Sequence, residues 1–150
     1  LAVAAVPTAD AAASGPRLSR VERGIVRGID YQRRRTGERH VRTTRALERA
    51  AAAHSGEMLA GNYFAHTSIN GGSFAARVHR FTRARDVGET LAWVTSCRGG
   101  AAHTIMSMWM SSAEHRTILL TRGYRRVGVA ARAGWLGSAH VCVVTADFSH

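Results

Sequence analysis

The stretch Met106–Ala130, MSMWMSSAEHRTILLTRGYRRVGVA, decides how the rest of this chain is read. It opens on the end of an apolar helix, with Ile105, Met108 and Trp109 at i, i+3 and i+4. Ser111-Ser112 breaks that helix and offers an N-cap for a new one. Glu114, His115 and Arg116 fall in the first turn of the new helix, and Ile118 and Leu119 form its apolar foot. A turn at Arg122-Gly123 leads into an alternating strand with Val127, Val129 and Ala131 on one face. A capped turn carrying an acid, an imidazole and a guanidinium between two buried elements points to a site, not a plain connector.

The chain has 150 residues, a size for one domain with a real core. Hydrophobic residues make up 45% and charged residues 21%, which excludes a disordered or membrane-spanning composition. The formal net charge is +11, and all 21 basic residues are arginine. With the abundance of Ala and Gly, that pattern looks like high-GC codon bias. It still favours anionic surroundings such as a cell-envelope polymer. No basic stretch is interleaved with aromatics, as a nucleic-acid platform requires, so no specific nucleic-acid partner is expected.

Residues 1–15 read as the remnant of a secretory signal, an apolar run with small residues around Ala9 to Ala13. The alternative is a disordered Ala-rich leader. Residues 16–150 then form the domain, expected to be secreted and monomeric. Cys97 and Cys142 are compatible with one disulfide, which export would favour. No later stretch is long and apolar enough to span a membrane.

Ser19-Arg20-Val21-Glu22 is a capping-box pattern that starts a first helix over Arg20 to about Arg34. The triplet Arg33-Arg34-Arg35 reads as its solvated end, favoured there by the helix dipole. A second helix spans about Thr44 to Asn62, with Leu47, Ala51, His54 and Met58 on one face. His54 is therefore expected as a buried, hydrogen-bonded core histidine. Ser73 caps a short third helix bearing Phe74, Val78 and Phe81. The segment from Val87 to Val94 is extended, and its Glu89 is an acid among apolar neighbours that needs a partner. A fourth helix, about Ala101 to Met110, presents Ala101, Ile105, Met108 and Trp109 to the core. Gly134 to Gly137 read as a hairpin turn. The last strand, Ala139 to Phe148, is apolar on both faces and so is central. Helices around a covered sheet predict an α+β fold, a three-layer α-β-α sandwich with a mostly antiparallel central sheet.

Three features stand together: Tyr63-Phe64-Ala65-His66, Gly88-Glu89-Thr90-Leu91-Ala92-Trp93, and Trp109 through His115-Arg116 to Tyr124 and Val127-Gly128-Val129. In this order they resemble the CAP superfamily (SCP/PR-1-like domains), specifically its secreted bacterial branch. His54-Ser55-Gly56-Glu57-Met58 looks like the segment preceding that family's first site histidine. Gly88-Glu89-Thr90 looks like its G-E-N, and Ser112-Ala113-Glu114-His115-Arg116 like the bacterial S-P-G-H-R. The resemblance covers about Arg20 to Phe148.

The resemblance implies a cleft lined by His66, His115 and Glu89. The second acid of many eukaryotic members falls at Ser112 here, so the four-residue set is incomplete. Glu114 is close by, either replacing that acid or satisfying the helix end. Two neutral imidazoles can bind Zn2+ or another divalent cation, with Glu89 holding a histidine N–H behind them. The alternative is a His–Glu–His network that only ties sheet to helices. Trp109 and Arg116 are expected as structural, Arg116 as partner of a buried acid or a carbonyl.

Three functions are open at this point. The first is a non-enzymatic domain whose cleft takes a divalent metal, a lipid or sterol-like molecule, or an envelope component. The second is a secreted hydrolase or protease using the same cleft. The third is a basic adhesion module for anionic envelope polymer. There is no H-E-x-x-H and no G-x-S-x-G, so enzymatic readings are the weaker ones.

Overall fold

The computed structural model describes residues 18–150, so the leader expected at residues 1–15 lies outside the described residues. Five helices and four strands follow in the order α1 (Arg20–Arg35), β1 (Arg42–Thr43), α2 (Arg45–Ala60), α3 (Phe74–Val78), β2 (Val87–Val94), α4 (Ala101–Ser111), α5 (Ala113–Leu120), β3 (Arg126–Leu136) and β4 (Ala139–Ser149). The sheet runs β1-β3-β4-β2. β4 is antiparallel to both neighbours, while β1 pairs parallel to β3 over two residues. The sheet is therefore mixed, through one short strand that carries no hydrophobic alternation in the sequence.

β4 is central because both its faces are covered. Cys142, Val144, Ala146 and Phe148 meet Val21, Ile25 and Ile29 of α1, Ile105 and Trp109 of α4, and Leu119 of α5. Val141 and Val143 meet Met58 of α2 and Leu91 of β2. Three layers result, with α1, α4 and α5 on one side and α2 on the other. The expected sandwich is present.

The helix starts follow their caps. Ser19 Oγ accepts from Glu22 N–H at 3.2 Å, and the Glu22 carboxylate accepts from Ser19 N–H at 2.6 Å. The other Glu22 oxygen accepts from Ala131 N–H at 2.9 Å, which fastens the start of α1 to β3. Thr44, Ser73 and Ser112 cap α2, α3 and α5 through their side chains.

Three local expectations are corrected. Arg33 is not part of a solvated helix end. It is fully buried and donates to the carbonyls of Arg39, Leu119, Thr121 and Tyr124 at 2.7–3.0 Å. Arg34 and Arg35 beside it are exposed, as the sequence suggests. In α4 the core side chains are Ala101, Ile105, Met106 and Trp109, whereas Met108 is 46% exposed, so the apolar stripe runs through Met106 and leaves Met108 outside it. The hairpin turn is Gly137-Ser138, because β3 continues to pair as far as Leu136↔Ala139. Gly137, with φ of 58°, supplies the left-handed conformation such a two-residue turn needs at its first position.

Cys97 and Cys142 form a disulfide, with their Cα atoms 5.0 Å apart, tying the segment after β2 to β4. Gly128 of β3 lies under α2, where an added Cβ would come within 2.0 Å of the Leu47 carbonyl carbon and 2.1 Å of Glu48 N. That contact is with backbone and cannot yield by a side-chain rotation.

Two stability predictions follow from these contacts. Gly128→Ala should push α2 off the sheet and lower unfolding free energy by about 3 kcal/mol, read from the urea midpoint. A loss under about 0.5 kcal/mol would show that α2 has room to move. Replacing both cysteines by serine removes a cross-link between residues 45 apart in sequence, which on the chain-entropy model is worth about 4 kcal/mol. Intact-mass spectrometry should show a gain of about two daltons on reduction of the unmodified protein, one hydrogen for each thiol formed.

Candidate functional site

Glu89 sits near the start of β2, opposite Asp147 of β4 in the antiparallel register. Alternation along β2 puts it on the same face as Leu91, toward α2 and α3. Its side chain is buried, with 1% exposure. A carboxylate there needs compensation, and Arg77 of α3, itself 3% exposed, provides an ion pair to Glu89 Oε2 through Nη2. The other oxygen, Oε1, lies 2.8 Å from His66 Nδ1.

His66 belongs to the segment between α2 and α3, and that segment is held at several points. Arg77 Nη1 donates to His66 O at 3.2 Å and to Ser68 Oγ at 2.8 Å. His54 Nε2 lies 2.8 Å from Ala65 O, and His54 Nδ1 lies 3.2 Å from Glu57 Oε2. Tyr63 donates its hydroxyl to the same Glu57 oxygen at 2.6 Å. Burial, helped by that carboxylate, pushes the Tyr63 hydroxyl up to about 12. His54 is completely buried with both ring nitrogens engaged, and burial pushes its pKa below the ordinary imidazole value. Its placement is structural, in the second helix where the spacing put it.

The His66 side chain is 49% exposed, with Nδ1 turned to Glu89 and Nε2 left free. His115 lies near the start of α5, half-buried, and its backbone N–H donates to the Ser112 cap at 3.4 Å. Burial pushes the His115 pKa down, the charge of nearby His66 pushes the same way, and Glu114 opposes both. The structure thus joins His66 to Glu89 by a direct contact between two separate segments, while His115 comes from a third, near the start of α5. Ser112 is half-buried and occupied as a cap, and Glu114 is exposed in the same turn. Among the described residues no three His, Cys, Asp or Glu side chains converge as a metal cluster. Arg116 lies at the surface and donates to the Met110 carbonyl at 2.8 Å, closing the end of α4. Trp109 is buried and donates its indole N–H to Leu91 O at 2.9 Å, joining α4 to β2.

Two members of the site are not among the residues singled out from the sequence. Arg77 was hidden between Phe74 and Val78 on the inner side of a very short helix, though an arginine at that phase is itself a signal. Asp147 is the one acid in β4, a strand whose buried residues are mostly apolar. It is fully buried. Burial and the Glu89 carboxylate facing it raise its pKa well above the usual carboxylate value. Two ionised carboxylates cannot bond, and neither Asp147 oxygen then has a partner. A proton on Asp147 resolves this by making it a donor to Glu89.

With this geometry in place, comparison with known families gives a match to the model described as the cysteine-rich secretory protein family, CAP, over residues 26–145. The chain belongs to the CAP family. Solved structures agree on the fold. An outer surface protein of Borrelia burgdorferi superposes with a TM-score of 0.72 at 15% identity, over 91% of this chain and 99% of that one. An extracellular protein containing an SCP domain from Bacillus anthracis gives a TM-score of 0.65 at 24% identity, over 91% of this chain but 45% of that one. Venom allergen-like protein 4 of Schistosoma mansoni gives a TM-score of 0.64 at 10% identity, over 88% and 89% of the two chains. Comparison with curated protein sequences gives no match. In this CAP domain buried Glu89 and the segment bearing His66 are both held by Arg77 of α3, and Ser112 caps α5.

The protonated state of Asp147 has a measurable signature. A carboxyl whose folded pKa lies above its unfolded value contributes stability fully present below the unfolded value and lost as pH rises through the folded one. Asp147→Asn keeps the shape and a donor toward Glu89 without the ionisation. The variant should match wild type in acid and exceed it increasingly as pH rises above about 4, the ordinary unfolded value. Urea denaturation across pH checks this, and parallel stability profiles for the two proteins would assign the pH dependence elsewhere.

Proposed function

We propose that this CAP domain is a secreted, non-enzymatic ligand-binding protein whose cleft takes a divalent transition ion between His66 and His115. The observation that carries the reading is the Glu89 arrangement. Its buried carboxylate, paired with Arg77, lies 2.8 Å from His66 Nδ1, which leaves Nε2 as the ring nitrogen without a protein partner among the described residues. A carboxylate behind an imidazole raises the basicity of the free nitrogen and fixes its tautomer. Burial pushes the His115 pKa down, which favours the neutral imidazole that a ligand needs. Two imidazoles are fewer than the three protein ligands of catalytic zinc centres. The donor set therefore fits an open, exchangeable ion whose remaining positions go to water or to a group on a partner.

Export is supported by the Cys97–Cys142 disulfide and by the extracellular description of the Bacillus anthracis protein. No helix among the described residues is long and apolar enough to cross a membrane. A serine-nucleophile reading has less behind it. Ser112 Oγ is engaged by a backbone N–H of its own helix, where a nucleophile needs a base on that oxygen.

Zinc calorimetry tests the proposal. Wild type should bind with measurable heat, and His66→Ala or His115→Ala should each weaken binding by at least about tenfold. Glu89→Gln should cost about 10–100-fold through the orientation of His66 alone. No heat in wild type, or heat unchanged in the double histidine variant, would remove the metal from the cleft.

A further inference from the structure

The parallel β1–β3 pair creates a second feature that shares no residue with the histidine cleft. In its register Arg42 lies directly across from Arg126. Like charges opposite one another on neighbouring strands destabilise the pairing. Arg42 N–H also donates to the Arg125 carbonyl at 2.9 Å, which brings a third arginine to the same place. Together Arg39, His40, Arg42, Arg125 and Arg126 line a concavity of about 390 Å3, and no acid lines it. The nearest acid in sequence, Glu38, is paired with Arg122.

The arginines around this concavity are largely unpaired. Among the described residues no hydrogen bond or ion pair is made by the side chains of Arg39, Arg42 or Arg125. Arg126 donates through Nη1 to a backbone oxygen of His150. Arg125 is half-buried, and its Nη1 is fully buried without a hydrogen-bond partner. A buried guanidinium N–H left unsatisfied is a cost that an oxyanion removes. The high arginine content of the chain explains the residue type. It does not explain why four of them face one hollow while a buried nitrogen there has no acceptor.

We propose that this concavity is a binding site for phosphate groups, distinct from the histidine cleft. Guanidinium forks match the tetrahedral oxygens of a phosphate and bind them with two parallel N–H···O bonds. One dianionic group between Arg42, Arg125 and Arg126 neutralises the like-charge contact across the strands. A soluble phosphate and a lipid headgroup present the same chemistry.

Calorimetry with inorganic pyrophosphate tests the site. Arg39→Ala with Arg42→Ala is the variant of choice, since both side chains are exposed and the fold does not depend on them. The control is Arg49→Ala with Arg83→Ala, an equal loss of charge at exposed positions elsewhere. The site variant should bind at least about tenfold more weakly than wild type, and the control within about twofold, because bulk attraction to a cationic protein affects both pairs alike. Co-sedimentation with phosphatidylcholine vesicles containing phosphatidylglycerol separates the sources. Capture that requires Arg39 and Arg42 identifies a headgroup, and pyrophosphate binding without capture identifies a soluble phosphate. Failure of wild type to bind either probe, or equal losses in the two variants, overturns the proposal.

Discussion

The buried carboxylate of Glu89 is the constraint on which the placement of His66 depends. It sits on a strand, covered by helices, where an unpaired charge would be neutralised or would unfold the site. Arg77 pairs with it, and burial together with the facing Glu89 carboxylate raises the pKa of the opposed Asp147 well above the usual carboxylate value. Arg77 is also the fastener of the segment bearing His66, since its other nitrogen donates to His66 O and Ser68 Oγ. One arginine thus does two things: it compensates the buried acid, and it holds the path of the chain that carries the histidine. The position of His66 belongs to a strand and a helix, although the residue itself lies in a loop. Sites built this way hold their geometry better than sites made by loops alone.

His115 is positioned from the opposite layer by a different device. The start of α5 is fixed by the Ser112 cap, and Arg116 closes the preceding helix on the Met110 carbonyl. The end of α5 is fixed by Arg33, which collects the carbonyls of Leu119, Thr121 and Tyr124 on one guanidinium. Carbonyls at a helix end and in the turn beyond it have no intrahelical donors, so a buried arginine from α1 takes that role. Leu119, buried beneath, prevents α5 from rolling. Each histidine is held from its own layer by an arginine: Arg77 under the segment of His66 and Arg33 at the end of the helix that carries His115.

Much of this was legible in the sequence, and the parts that were not share a cause. Capping residues, apolar periodicity and the two-faced last strand placed all five helices, the three long strands and the layer order, because each leaves a local mark. The strand β1 left none: two exposed residues pair only because β3 arrives beside them. Gly128 looked like part of a strand pattern, and its need for no side chain comes from α2 passing within backbone contact. His66, Glu89 and His115 were readable as a set by resemblance, whereas Arg77 and Asp147 were not. Their importance lies in pairing across the sheet, and charge alone does not say which arginine or which aspartate is buried. Arg33 makes the same point in reverse. Within a run of three arginines at a helix end, the phase of the helix selects one for the interior, at four and eight residues from Ile29 and Ile25.

The three histidines of this region differ in how many ring nitrogens the protein itself uses, and that difference separates scaffold from cleft. His54 has both engaged, by Glu57 and by Ala65 O, and is fully buried; a ligand could reach it only by breaking the loop it holds. His66 has one engaged and one free at a half-exposed edge. His115 contributes only its backbone N–H to the structure, and its ring is left to its surroundings. A purely structural network would be expected to satisfy its inner members as fully as His54 is satisfied, since unpaired polar groups weaken a packed region. Here satisfaction falls off in order toward the opening of the cleft. The carboxylate at the back is saturated, the first imidazole is half saturated, and the second is open. That gradient leaves the unused ring nitrogens at the exposed end of the series, away from the buried acid.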